Sequence, residues 1–206
     1  MALMATTTAP LSAPPTAAIS TPTAKMLRAS LLLAPLLYLA ADCTYAAKGW
    51  DDATAGVLHV LGAIAYGFVI LAVAFDLPES SRMRALLIFT GLVGMAGNVA
   101  YGFETIHMSL GDVQLVDRGG AANLIKPLGL FFPLSLVVLA AALRRLRHSW
   151  QAATVLVAAL AWPIAHIGNI AEIAVPVNIA LLLALGSYAL AQPAPRVDMT
   201  NEQERP

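Results

Sequence analysis

The chain has 206 residues, 59% of them hydrophobic and 12% charged, with a mean hydropathy of +0.74. A soluble domain carries roughly 25% charged residues, so this composition argues against an ordinary water-soluble enzyme and points into a membrane. The formal net charge is zero, which removes the electrostatic footing for nucleic-acid binding, and the single cysteine, Cys43, offers neither an intrachain disulfide nor a CxxC pair.

Residues 1–24 are rich in Ala, Thr, Pro and Ser and show no periodicity. Such a segment buries too little surface to offset its ordering entropy and is expected to be a disordered tail. The first apolar span covers about 26–47, behind Lys25 and Arg28. It resembles a signal peptide in outline, with Thr44-Tyr45-Ala46 as a cleavage site, but the long leading tail and Asp42 favour an uncleaved helix. The second span, about 54–76, follows Asp51-Asp52, and the third covers about 84–104. A loop with Gly-Asp and Arg-Gly-Gly turn signals comes next. The fourth span, about 123–143, ends in Arg144-Arg145-Leu146-Arg147; the fifth covers about 150–174 and the sixth about 176–192, opening on Pro176. Residues 193–206 read as a second disordered tail. Each span approaches the ~20 residues that cross a bilayer. The expected fold class is therefore all-α, a polytopic bundle of six transmembrane helices filling residues 25–192. Seven Lys or Arg residues flank one side of these spans and three the other. The asymmetry predicts a multi-pass cell-membrane protein with both termini cytoplasmic.

Polar residues interrupt the spans almost wholly in their outer halves. Asp42 lies near the outer end of span one, His59 near the start of span two, and Asn98 and Glu104 in span three. Asn123 and Lys126 open span four, and Asn178 opens span six. In span five, His166, Asn169 and Glu172 are spaced i, i+3, i+6, which puts them on one helix face. Asn98, Tyr101 and Glu104 repeat that spacing in span three, while Tyr38 and Asp42 share a face of span one and Tyr66 accompanies His59 in span two. An ionisable group in lipid is costly unless it is paired, hydrated or functional, so this layer marks the expected site. Structural roles compete with that reading: Asn as interhelical glue, His as a packed hydrogen-bonding residue, Glu104 and Lys126 at headgroup level, and Tyr45, Trp50, Tyr101 and Trp150 as interfacial belt residues.

No HExxH, GxSxG or phosphate-loop motif is present. A metal site on His59, His166, Glu104 and Glu172, or a haem between the two histidines, is chemically allowed, but so few buried ligands do not favour it, and neither metal nor cofactor is expected. What remains is acid–base chemistry. The expectation is a cofactor-independent isomerase or cyclase acting on a small lipophilic substrate from the bilayer. Glu172 and Glu104 would serve as acids or bases, Asp42 as the partner of developing positive charge, and His59 and His166 as proton shuttles. Asn169, Asn98, Tyr101, Trp162, Tyr66, Tyr38, Asn178 and Lys126 would line the substrate site, with aromatic faces available to a carbocation. The alternatives are a proton-coupled transporter or ligand-binding protein, or an accessory subunit of a membrane complex. Expected partners are membrane lipids and a small lipophilic molecule. The apolar inner halves leave no continuous path for transport unless a homo-oligomer supplies one.

Overall fold

The computed structural model describes residues 21–191. They form six helices: α1 (Pro22–Lys48), α2 (Ala53–Phe75), α3 (Arg82–Met108), α4 (Ile125–Arg145), α5 (Ser149–Ile167) and α6 (Ala171–Ala191). All six are long and apolar enough to cross a membrane, with mean hydropathies of 1.4 to 2.3 over their most apolar windows. Leu33, Phe89, Phe103, Val157, Leu160 and Leu183 point outward and are exposed. A water-soluble protein rarely presents so extensive an apolar surface; lipid is its natural solvent, and the chain is a polytopic membrane protein.

Local signals set the helix ends. Thr21 caps α1 by accepting from the Ala24 N–H, ahead of Pro22 in the first turn. Asp52 caps α2 by accepting from the Ala55 N–H at 2.9 Å. That hydrogen bond, helped by Lys48 at 3.7 Å, holds the Asp52 carboxyl below the usual carboxylate range. Two helices stop on left-handed residues. Arg147 follows α4 with φ 68°, and the His148 N–H reaches back to the Leu143 carbonyl. Asn169 follows α5 with φ 53°, and the Ile170 N–H reaches back to Ala165. Both are Schellman-type closures, and Asn is among the side chains that adopt this conformation most readily.

The second closure corrects the expected boundary between spans five and six. α5 ends at Ile167 and α6 begins at Ala171, so Pro176 lies inside α6 rather than at its start. Glu172 therefore belongs to the first turn of α6 and is exposed. It does not share a helix face with His166, because the backbone turns at Gly168-Asn169 between them. Of the expected tails, Thr21 caps α1 and residues 22–24 are already helical; residues 1–20 and 193–206 lie outside the described residues.

Each helix packs on its chain neighbours, and α6 closes on α1, making a six-helix ring. The connections α1–α2, α3–α4 and α5–α6 share one end of it. The longest, residues 109–124, carries two 3₁₀ turns, Leu115–Asp117 and Gly120–Leu124. Tyr38, Tyr66, Phe132, Leu136 and Leu181 are buried in the core. α3 contributes few large side chains there. A Cβ at Gly94 would lie 2.6 Å from the Phe132 backbone nitrogen, and one at Gly97 would collide with the Leu128 backbone. These glycines bring α3 and α4 backbone to backbone, the close approach that small residues permit in lipid.

A candidate ligand cavity at one end of the ring

The end of the ring that carries the α3–α4 loop contains a cavity of about 410 Å³, within the size range of small-molecule sites. His59, Tyr101, Glu104, Trp162 and His166 line it, with Lys126 and Asn169 among its polar wall residues. Two hydrogen-bonded groups stand in or behind this wall.

The first is centred on Asn98, which is fully buried. Its Nδ2 donates to the Gly94 carbonyl at 3.2 Å. A carbonyl only accepts, so this contact fixes the amide, and Oδ1 faces the other way. Oδ1 accepts from the Tyr38 hydroxyl at 3.1 Å and lies 3.1 Å from Nε2 of His59. Nε2 must therefore carry the proton. The neutral ring then has its lone pair on Nδ1, which is buried and has no hydrogen-bond partner. The Tyr38 ring packs edge-on against His59 at 4.7 Å and holds it in place.

The second group is centred on Asp42, also fully buried. Its Oδ1 lies 3.2 Å from Nε2 of His166, and its Oδ2 accepts from Nδ2 of Asn178. Nδ1 of His166 is 3.1 Å from the Trp162 carbonyl. Both imidazole nitrogens thus face oxygen acceptors. Through these contacts Asp42 on α1 is tied to α5 and α6. The imidazole also stacks on the Trp162 indole, with centroids 3.9 Å apart. The His59 and His166 rings are 6.2 Å apart, so the two groups meet at the cavity.

Glu104 is buried, and its Oε1 accepts from the Val116 N–H of the α3–α4 loop at 3.3 Å. Among the described residues, Oε2 of Glu104, Nε1 of Trp162 and Nδ1 of His59 are buried without a hydrogen-bond partner. All three belong to residues that line this one cavity. Buried polar atoms are rarely left unpaired, so three on residues of one wall single out this cavity as the candidate site.

Other expected residues have different settings. Asn178 and Asp42 stand behind His166. Tyr66 lies deeper, edge-on to Tyr38 and Phe132, with its hydroxyl unpartnered. Lys126 is exposed and 3.9 Å from Asp117. Asn169 is exposed at the cavity edge, and Glu172 is not part of the cavity wall. Sequence reasoning passed over Tyr45 and Trp50 as belt residues; here they stack at 4.7 Å and line the cavity. Tyr45 was legible as the continuation of the Tyr38–Asp42 face. Thr105 donates to the Tyr101 carbonyl, so its oxygen takes the Tyr45 hydroxyl proton. Val116 and Gly129 also line the cavity, with no chemical signal to announce them. No group of three His, Cys, Asp or Glu side chains capable of holding a metal ion occurs among the described residues.

A second cavity, about 540 Å³, lies at the opposite end beside Arg28, Asp76, His148 and Tyr188. Tyr188 donates to Asp76, and among the described residues no orphaned buried polar atom belongs to its wall. The chemistry therefore points to the loop end. No protein-family model matches the chain, and no curated protein or solved structure does so.

Proposed function

We propose that this membrane protein takes a small, largely apolar molecule into the loop-end cavity and performs cofactor-independent proton transfer on it, as an isomerase would. The supporting observation is that three residues lining one cavity with aromatic walls, His59, Glu104 and Trp162, each carry a buried polar atom without a hydrogen-bond partner. They provide an acceptor, a carboxyl and an N–H donor, a set able both to orient a neutral molecule and to exchange a proton with it. The Asp42–His166 pair acts through Trp162, on which His166 stacks, and so positions the indole.

The transport reading has less support. Beneath the cavity, Tyr38, Tyr66 and Phe132 pack against one another with centroids 5.1 to 5.4 Å apart, and this aromatic floor closes the way through the ring.

Titration with para-bromophenol tests the cavity. This probe is small and apolar, carries one hydroxyl and quenches tryptophan. Saturable quenching is expected in the purified protein. Val116→Phe, which intrudes from the loop, should remove the saturable phase. Glu104→Gln should weaken it no more than about tenfold, the effect of altering one hydrogen bond. Equal, non-saturating quenching in all three proteins would show that the probe only partitions into the apolar surface.

A further inference from the structure

The exposed part of the cavity wall is confined to two neighbouring helices. Most lining residues are buried or half-buried. The exposed ones are Lys126 and Leu130 on α4, Ile167 at the end of α5, and Asn169 in the turn that follows it. We propose that the cavity opens sideways to the bilayer between α4 and α5, and that its ligand is a single-chain amphiphile with an anionic head. The chain passes between Leu130 and Ile167, and the head lies at Lys126. This rests on the cavity reading above and names the class of molecule bound there.

Leu130 and Ile167 show which way the wall is open. Each ends, toward the loop, a row of exposed apolar side chains. On α4 the row is Leu130 and Leu134; on α5 it is Val157, Leu160, Ile164 and Ile167. Positions three or four apart share a helix face, and these are the faces turned to lipid. A residue that belongs both to such a row and to the cavity wall lies on the border between them. Leu130, 52% exposed, and Ile167, 67% exposed, do so on adjacent helices. The remaining walls have no such residue. Phe103, exposed on α3, is not part of the wall, and the α1 and α2 contributions, Tyr45 and His59, are buried.

Polarity along this border changes as it does along a lipid molecule. Lys126 precedes Leu130 by four residues, so it sits about 6 Å nearer the loop end on the same face of α4. Asn169 likewise follows Ile167 just past the end of α5. A molecule taken up from the bilayer meets the wall in that order, hydrocarbon beside the apolar pair and head group beside the polar pair.

The sign of the head follows from where the charged side chains of the wall stand. Glu104 is buried, and its Oε1 already accepts from the Val116 N–H, so an anionic head finds no favourable place deep in the cavity. Lys126 is exposed. Asp117 lies 3.9 Å from it, with both side chains more than half exposed. A surface pair of that kind is worth little, which leaves the ammonium open to a second anion. Carboxylate and phosphate heads share this chemistry.

The test is competition against para-bromophenol in the purified full-length protein. Undecanoate and undecyl phosphate, each below its micelle-forming concentration, are expected to displace the phenol and restore tryptophan fluorescence; the stronger competitor assigns the head. Undecylamine should compete at least about tenfold less well, and Lys126→Glu should reverse that order. Leu130→Gln combined with Ile167→Gln should weaken undecanoate relative to the phenol on the order of tenfold, because only the longer molecule must pass both side chains. Phenol saturation checks that each variant is folded; should the double variant fail to fold, the reversal in Lys126→Glu decides. Phenol saturation without displacement by either undecyl anion, or equal competition by the amine, overturns the amphiphile and leaves the cavity reading standing. An unreversed order in Lys126→Glu overturns the placement of the head, and an unchanged ratio in the folded double variant overturns the sideways opening. Absence of phenol saturation in wild type overturns both the inference and the cavity reading.

Discussion

Asn98 decides which nitrogen of His59 holds the proton, and it does so from a different helix. Its amide is locked between an obligate acceptor, the Gly94 carbonyl, and two donors, Tyr38 and His59. Asn98→Leu would remove the acceptor and leave the Tyr38 hydroxyl and the His59 Nε2–H buried and unpaired. A loss of roughly 2 kcal/mol or more is expected, measurable as a lower unfolding midpoint in detergent, whereas an unchanged midpoint would show that the network contributes nothing. The residue types of this site were legible in the sequence: Asp42, His59, Asn98, Glu104 and His166 stand out because ionisable and amide groups are expensive in an apolar span. Their partners were not. Asp42 meets His166 across 124 residues of sequence and Asn178 across 136, and no spacing rule reaches across separate helices. Trp162 was identified as a lining residue, but its unpaired N–H emerges only once its neighbours are placed.

At the level of helices, the misplaced residue is instructive. His166, Asn169 and Glu172 fit a helical spacing, yet Gly168-Asn169 is also a stop signal of the kind that ends helices. The stop prevails because Asn169 adopts φ 53° and lets the Ile170 N–H return to the Ala165 carbonyl. Asn169 thus ends α5 one residue beyond Gly168, and its polarity serves the turn. Asn169→Gly should be tolerated, whereas Asn169→Val forces a β-branched residue into the left-handed region and should cost about 1–2 kcal/mol. Comparing the unfolding midpoints of the two variants checks this; equal midpoints would mean that the turn does not depend on that conformation. The same closure at Arg147, with the His148 N–H on the Leu143 carbonyl, carried no sequence signal, because Arg has no preference for that conformation. Glu104 joins two elements: it sits on α3 and accepts from the Val116 N–H in the loop, and both residues line the cavity.

For the whole molecule, hydropathy was enough to give six spans and an all-α bundle, because a lipid environment makes each crossing a local property of about 20 residues. Ring closure was not legible. That α1 packs on α6, and that α3 approaches α4 through Gly94 and Gly97, depends on which outward faces meet, and lipid-facing and core-facing positions are both apolar. The polar layer read from the sequence divides into two hydrogen-bonded groups. Asp42 is hydrogen-bonded to His166 and Asn178, while His59, Glu104 and Trp162, which line the cavity, each retain a buried unpaired atom. The central claim is that Asn98 leaves Nδ1 of His59, a residue of the cavity wall, unprotonated. Nitrogen-15 NMR of the protein labelled at histidine tests it directly, because protonated and unprotonated ring nitrogens resonate far apart. The account predicts an unprotonated Nδ1 and a protonated Nε2 for His59, with the Nδ1 signal moving when para-bromophenol is added. A protonated Nδ1, or an Nδ1 signal indifferent to the phenol, would contradict it.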